Sequence, residues 1–347
     1  MNLRVQLHQV LPKLWRQRSL FTVLLLPFAG LFYGLSTLRR WAYRLGLLKV
    51  AQLPVPVVVV GNITVGGSGK TPLVIWLFEA LRAAGKKPGI ISRGYGGSRS
   101  SAGMLVHPDT PAAQGGDEPC LLARLTDQAV AIGRDRVAAA ELLLRHLPEC
   151  DVLISDDGLQ HLRLPRQFEI VVLDARGVGN GWLLPAGPLR ESPARLQQVD
   201  ALVLNGFNPF KQSIFPPQFQ MQLQPQNAYQ LIDPTQQRSL ASFTEQTVLA
   251  AAGIGDPARF FGMLQNHGVR IEALPLPDHY DFSSNPFAQH PAQIILITDK
   301  DAVKCRALNG FQDARIWVVP VRAVLQNITA NTPADLLTAL LKKLAPL

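Results

Sequence analysis

The sequence predicts an α/β fold with a doubly wound, mostly parallel sheet, an N-terminal membrane-associating helix and a second, smaller α/β domain. Three observations predict it. A buried-type strand, a glycine-rich loop and a helix follow one another over residues 55–85. Apolar strands then alternate with helices as far as residue 206. The first 50 residues combine a long apolar run with basic residues and no acidic ones. Such alternation is typical of layered α/β domains.

The strand "VPVVVVG" at residues 55–61 has no polar side chain, which favours a strand covered on both faces. The loop after it fits the phosphate-binding pattern G-x-x-x-x-G-K-[ST], except that Thr64 holds the first glycine position. Lys70 would contact the β and γ phosphates of a nucleotide, and the Thr71 hydroxyl would help to hold Mg²⁺. The alternative is an ordinary glycine turn, which the flanking strand and helix disfavour. The predicted ATP-binding residues of this P-loop NTPase-like domain are Thr64, Val65, Gly66, Gly67, Ser68, Gly69, Lys70 and Thr71.

The remaining elements follow in order. We expect a second strand that runs into a loop at residues 87–97, and an exposed loop or hairpin at 98–116. Three predicted domains divide the chain at composition changes: a basic apolar segment, a P-loop core and a smaller C-terminal α/β domain. These domains comprise residues 1–50, 51–215 and 216–347. The further predicted helices lie at 117–125 and 134–147, and the further predicted strands lie at 129–133, 151–158, 168–175 and 201–206. Strand–loop–helix patterns lie at 247–269 and 294–304.

The net charge of +9 belongs to the N-terminal segment, because basic and acidic residues nearly cancel in the rest of the chain. A broad nucleic-acid-binding face is therefore not expected. Residues 20–38 carry no charge and lie between basic flanks, which favours insertion into an anionic leaflet. A true span and a buried core helix are the alternatives. The expected interfacial anchors are Trp15, Tyr33, Trp41 and Tyr43.

The three cysteines lie far apart and fit neither a zinc site nor a disulfide framework, which indicates a reducing compartment.

An acidic pair follows the strand at residues 151–158. Asp156 or Asp157 would bind Mg²⁺ directly or through water, since carboxylates at a neighbouring strand end hold the metal in P-loop enzymes. Gln160 and His161 follow closely enough to line the same crevice. The alternative is a solvated acidic turn.

Three further clusters could complete a kinase site. A kinase needs a base for the acceptor hydroxyl and cations for the developing charge. Asp117 or His279 could supply the base and Arg190 the cation. Singly, each has a plainer interpretation: a capping acid, a structural histidine and a surface turn.

Two other classes of P-loop protein fit the sequence less well. The "TDKD" at 298–301 resembles the base-recognition motif [NT]-K-x-D of GTPases, but its lysine is one place late. Partitioning-type ATPases carry a signature lysine before the glycines of the loop, where this chain has Val65.

Seven separated motifs resemble those of the tetraacyldisaccharide 4'-kinase family, in the same order and over about residues 10–310. They are "VGNITVGGSGKTP", "ISRGYGG", "GDEP", "DDGLQH", "PAGPLRE", "PDHYDF" and "TDKDAVK". The threonine at the first P-loop position is similar to the family pattern.

The resemblance implies transfer of a phosphoryl group from ATP-Mg²⁺ to the 4'-hydroxyl of a tetraacyldisaccharide 1-phosphate, which yields lipid IVA in lipid A biosynthesis. It implies that Asp117 accepts the hydroxyl proton with help from His279, and that Arg190 stabilises the transition state. Metal binding would be shared among Thr71, Asp156, Asp157, Gln160 and Glu191.

The resemblance also implies an enzyme on the cytoplasmic face of the bacterial inner membrane, either peripheral or anchored by its N-terminus. Its partners would be the lipid disaccharide and the anionic lipid surface, without nucleic acid or an obligatory protein partner. Because Asp117 and His279 lie in different regions, we expect substrate to bind between the domains and ATP to draw them together. The competing hypothesis is a membrane-associated P-loop ATPase that regulates a protein partner.

Overall fold

The computed structural model describes residues 14–15, 17–94, 103–206, 216–306, 311–328 and 335–345. Most of the loop predicted after the second strand, at 95–97, lies outside the described residues, as do residues 1–13. The described helices are α1 (Leu20–Leu24), α2 (Leu26–Arg44), α3 (Lys70–Ala83), α4 (Ala112–Gly115), α5 (Asp117–Thr126), α6 (Arg136–His146), α7 (Pro257–Asn266), α8 (Asp299–Arg306) and α9 (Leu336–Leu344).

The described strands form two sheets. In chain order they are β1 (Val57–Gly61), β2 (Pro88–Ser92), β3 (Met104–Val106), β4 (Val130–Ile132), β5 (Val152–Asp156), β6 (Phe168–Asp174), β7 (Ala201–Asn205), β8 (Gln218–Pro225), β9 (Ala228–Gln230), β10 (Gln237–Arg238), β11 (Val248–Ala252), β12 (Ile271–Pro275), β13 (Ile295–Thr298), β14 (Ile316–Val319) and β15 (Val321–Asn327).

The larger sheet has the strand order β15-β8-β7-β6-β1-β5-β2-β4-β3, with the P-loop strand β1 at its centre. Only its two edge strands, β15 and β3, run antiparallel to their neighbours. The valines of β1 alternate between two apolar layers: Val58 and Val60 pack with helix α3, and Val57 and Val59 pack with helix α6. Helices thus cover both faces, which is why this strand has no polar side chain. The predicted doubly wound sheet is confirmed.

The smaller sheet has the order β10-β9-β14-β13-β11-β12 and is itself covered on two sides by apolar clusters. The boundary predicted between residues 215 and 216 does not separate the two sheets and needs correction. Strands β8 and β15 both belong to the larger sheet, and α9 packs into its core. The chain therefore leaves the larger sheet after β8, builds the smaller sheet, and returns through β15. The Pro- and Gln-rich composition of residues 208–226 concealed this arrangement, because only the first half of β8 has buried side chains: Gln218, Phe219 and Met221.

Helix α2 lies on the surface with its apolar side chains exposed. Ala29 is its only buried residue, so the alternative of a buried core helix is wrong. None of the described helices has the length and apolar character needed to cross a bilayer. Trp15 does not act as an interfacial anchor, because it is buried and its indole N–H donates to the Pro185 carbonyl at 3.0 Å. Tyr33 and Trp41 are about half exposed, at 48% and 54%.

Candidate active site

The glycine-rich loop connects β1 to the first residue of α3, Lys70. Gly66 and Gly69 take positive φ angles of 94° and 85°, which side-chain-bearing residues rarely adopt. Thr64 instead forms an isolated antiparallel bridge with Leu189, and the next amide, of Val65, donates to the Pro188 carbonyl at 2.9 Å. Bridge formation of this kind uses extended backbone, so the first position of the motif needs no glycine here.

Two side chains that sequence reasoning missed hold the loop from neighbouring strands. Arg176, just beyond β6, donates to the Gly67 carbonyl at 2.8 Å while Asp174 pairs with its guanidinium. Asn205, at the end of β7, donates to the Ser68 carbonyl at 2.9 Å. A signal existed in the sequence, because Asp174 and Asn205 are polar residues at the carboxyl ends of apolar strands, where α/β sheets bind ligands.

Asp157 lies between the two predicted phosphate-facing cations. Its carboxylate is 3.4 Å from Lys70 Nζ and 3.2 Å from Arg190 Nη1. Burial alone would raise the pKa of Asp157, but Lys70 and Arg190 lower it to about 2. Its φ of 52° is left-handed, which is uncommon for a residue with a side chain and recurs at functional sites. Asp157 therefore holds Arg190 close to the P-loop lysine, Lys70.

Asp156 is the more buried member of the acidic pair, with 1% of its surface exposed. Ser92 donates to its Oδ2 at 3.1 Å, whereas its buried Oδ1 has no hydrogen-bond partner among the described residues. Burial, with the charge of Glu118, raises the pKa of Asp156 to about 7, against the opposing effect of Lys70. A buried, unpartnered carboxylate oxygen is an atom that a cation would satisfy.

Gln160 and Glu191 form the outer edge of this cluster. The Gln160 amide donates to Glu191 Oε1 at 2.7 Å, and Glu191 Oε2 lies 3.5 Å from both Arg40 and Arg195. His161 Nε2 lies 3.5 Å from Asp135, at the start of α6.

The described residues contain no group of three or more His, Cys, Asp or Glu side chains arranged to hold a metal ion. A cation here would therefore need other oxygen ligands. This suits Mg²⁺, which usually takes one or two carboxylates and completes its shell with phosphate oxygens and water.

Asp117 and His279 meet although 162 positions separate them in the chain. Asp117 is the first residue of α5, and its Oδ2 lies 3.0 Å from His279 Nδ1. Burial alone would raise the pKa of Asp117, but the hydrogen bond from His279 and the charge of Lys304 hold it below its usual value. His279 has a left-handed φ of 58°, so its backbone is strained to present the ring.

The loop that carries His279 lies beside the P-loop. A Cβ atom added to Gly255 would be 3.9 Å from the Gly67 amide nitrogen and 3.5 Å from Asp278 Oδ2. The predicted residues therefore gather at one cleft between the two sheets. A phosphate-binding loop, oriented cations, an orphan carboxylate oxygen and a carboxylate–histidine pair are together the parts that phosphoryl transfer requires.

Comparisons with known proteins agree with this chemistry. The family model described as Tetraacyldisaccharide-1-P 4'-kinase matches residues 21–343. The tetraacyldisaccharide 4'-kinase of Janthinobacterium sp. (strain Marseille) is 53% identical over 94% of this chain and 95% of its own length. That of Herminiimonas arsenicoxydans is 49% identical over the same shares. The crystal structure of LpxK from Aquifex aeolicus in complex with ATP superposes with a TM-score of 0.78 at 31% identity, covering 94% of this chain and 100% of that one.

Proposed function

Because the chain belongs to the tetraacyldisaccharide 4'-kinase family, as its motifs predicted, we propose that it phosphorylates the 4'-hydroxyl of a tetraacyldisaccharide 1-phosphate with ATP. The product is lipid IVA, in the biosynthesis of lipid A. The observation that carries the proposal is the Asp117–His279 contact at 3.0 Å, which joins a candidate base to the cleft that holds the P-loop. A nucleotide-hydrolysing switch has no need of a base for an alcohol acceptor.

The side chains divide the reaction as follows. Lys70 and the loop amides from Gly66 onward hold the β and γ phosphates, while the start of α3 favours their negative charge. The Val65 amide does not take part, because it donates to the Pro188 carbonyl. Asp117 accepts the proton of the acceptor hydroxyl and His279 orients and supports it. Arg190, held by Asp157 at 3.2 Å, stabilises charge on the transferring group.

Mg²⁺ is expected with ATP, and Asp156, through its unpartnered Oδ1, fits a cation best. Thr71 and Gln160 supply further oxygens, with Glu191 fixing Gln160 from behind at 2.7 Å. When bound by these residues, Mg²⁺ would supply positive charge that offsets the charge of the phosphates. Asp157 contributes through Lys70 and Arg190, to which it is already paired.

The N-terminal helices support work at a lipid surface. Large apolar side chains of α1 and α2 are exposed and continuous with exposed residues up to Val50, and exposed apolar patches of this kind mark contact with membranes or partners. The basic, acid-free segment suits an anionic leaflet and a phosphorylated lipid. We place the enzyme on the cytoplasmic face of the inner membrane as a peripheral protein, with neither nucleic acid nor an obligatory protein partner.

One assay tests the function. The purified chain is incubated with γ-labelled ATP, Mg²⁺ and the disaccharide lipid in detergent micelles, and label is counted in the lipid and aqueous fractions. We expect label in the lipid, lost in Lys70→Met and lowered about 100-fold or more in Asp117→Asn, the size of a general-base contribution. Release of phosphate into water alone, unaffected by the lipid, would favour the ATPase hypothesis instead.

A further inference from the structure

Helix α8 carries a buried lysine, Lys304, whose ammonium group contacts the candidate base Asp117 across the cleft. Lys304 is 5% exposed, and its Nζ lies 3.5 Å from Asp117 Oδ2 and 3.4 Å from Asp301 Oδ1. The same Nζ is 5.3 Å from the centre of the Phe282 ring. A lysine is rarely buried to this degree unless its charge is paired, since desolvating an ammonium group is costly.

Asp301 anchors this lysine to the smaller sheet. It is fully buried, and its Oδ2 accepts from the Thr298 hydroxyl at 2.7 Å and from the Gly253 amide at 3.1 Å. The Gly253 carbonyl in turn accepts the His279 amide at 3.2 Å. One buried carboxylate thus fixes both groups that the smaller sheet presents to Asp117, the Lys304 ammonium and the His279 ring.

Both groups reach the same oxygen of Asp117. His279 Nδ1 and Lys304 Nζ contact Oδ2, whereas Oδ1 accepts no hydrogen bond from any described residue. These two contacts to Oδ2 restrain rotation of the carboxylate, and Oδ1 remains for the acceptor hydroxyl. We propose that Lys304 is a positioning residue that holds Asp117 in this orientation. This rests on the proposed function, because it gives Lys304 a task only if Asp117 receives the proton.

Lys300, one helical turn earlier on α8, offers a matched comparison. Its Nζ contacts Glu118 at 3.3 Å and Asp278 at 3.8 Å, so it bridges the same two sheets without an ion-pair contact to Asp117. If the two lysines served only to hold the sheets together, their removal would have similar effects. The other charged or titratable groups around Asp117 and Lys304 are Glu118, Cys120, Asp281 and Cys305.

A double-mutant cycle separates positioning from structural support, because a residue that acts through another has no effect once that other is gone. The label transferred to the lipid is measured under saturating ATP and lipid for the wild type, Lys304→Met, Asp117→Asn and the double variant. We expect Lys304→Met to lower kcat at least about tenfold, which is part of the roughly 10²–10⁴-fold contribution of a general base. In the Asp117→Asn background we expect a change below about twofold. KM for ATP should stay within about twofold, since Lys304 does not touch the P-loop.

Controls keep the test decisive. Lys304→Arg retains the charge and should recover more of kcat than Lys304→Met, while Lys300→Met should lower kcat by similar factors with and without Asp117. Where Lys304→Met does not fold, Lys304→Gln, which keeps a polar partner for Asp301 and leaves the support of His279 intact, enters the cycle in its place. Equal factors in both backgrounds would overturn the positioning role. A wild type that never labels the lipid would instead overturn the proposed function, so the two failures are distinguishable.

Discussion

At the scale of single residues, the ionised state of Asp117 links catalysis to stability. A carboxyl whose pKa is lowered by folding stabilises the fold above its unfolded pKa, near 3.9, and loses that contribution as the pH falls through the lower folded value. Asp117→Asn leaves Lys304 facing an uncharged amide and should lower the free energy of unfolding at pH 7 by about 1–3 kcal/mol. The deficit should narrow only as the pH falls below about 4.

Urea unfolding of both proteins at a series of pH values measures this deficit, and Asp109→Asn on an exposed loop is the control. A deficit that stays constant down to the lowest pH at which the protein folds would contradict the ion-pair explanation.

Arg176 gives a second prediction at this scale. Its guanidinium holds the Gly67 carbonyl at 2.8 Å, and a loop that is fixed before binding loses less entropy when phosphates arrive. Arg176→Met should therefore raise KM for ATP by roughly three- to tenfold, about the net worth of one ordinary hydrogen bond, with a smaller effect on kcat. Steady-state kinetics checks this, with Arg163→Met as control because Arg163 forms its ion pair with Asp135 instead. An unchanged KM would show that the P-loop needs no support from Arg176.

The residues that sequence reasoning identified share a local signal. Lys70 is fixed by a contiguous motif, and Asp156 and Asp157 by an apolar strand that ends in acids. Arg176, Asn205 and Lys304 act through contacts 109 to 187 positions away. The strand-end position of Asn205 was a local signal of a functional site, but no local pattern identifies the partner of any of the three. Their roles depend on which strands become neighbours in the sheet, and the sequence does not state that order.

At the scale of elements, helix α2 shows why an apolar run alone did not distinguish between its three interpretations. Membrane insertion, a span and a core helix all require apolar residues, and they differ in what covers the helix. Leu31, Leu35 and Leu38 are 60–68% exposed, which leaves the helix face open to a lipid surface. Strands β8 and β15 were assigned to the C-terminal domain for a related reason. Both strands are partly exposed, and their side-chain pattern does not indicate which sheet they join.

Point substitutions test the lipid contact of α2. Leu31→Glu/Leu35→Glu should weaken binding to phosphatidylglycerol-containing vesicles more than tenfold, since each leucine contributes roughly 1.5–3 kcal/mol when buried. Nucleotide binding should be retained. Flotation of vesicles with bound protein is the measurement, and Ile232→Glu, which alters an exposed apolar residue of the smaller sheet's domain, is the control. Unaltered flotation of the double variant would mean that α2 does not touch lipid. Deleting residues 1–40 is less informative, because it would also remove Trp15 and its contact with Pro185.

At the scale of the whole molecule, the two sheets meet at the P-loop as well as at Asp117. Arg259, on α7 of the smaller sheet, donates to Asn205 Oδ1 at 2.6 Å, and Asn205 donates to the Ser68 carbonyl. The expected meeting of His279 and Asp117 is present in the structure, so closure around ATP, which stays a prediction, would act on a contact that can form beforehand. We therefore expect ATP to act at the P-loop end of the cleft, through the contacts that link Ser68 to Asn205 and Asn205 to Arg259.

Closure is therefore expected to depend on Arg259. Spin labels on cysteines introduced at Ala84 and Gln265, both exposed, report the distance between the sheets, and the three native cysteines are buried. An ATP analogue with Mg²⁺ should shorten the mean distance or narrow its distribution, because phosphates that order the P-loop also order Asn205 and its partner.

The Arg259→Met variant should lose most of this response, and its KM for ATP should rise. The control Arg270→Met should keep the response, because the Arg270 guanidinium contacts the Glu245 carbonyl within its own domain. A distribution that does not respond in the wild type would rule out closure. A full response in Arg259→Met would mean that closure is driven from the Asp117 end, through Lys300 and Lys304.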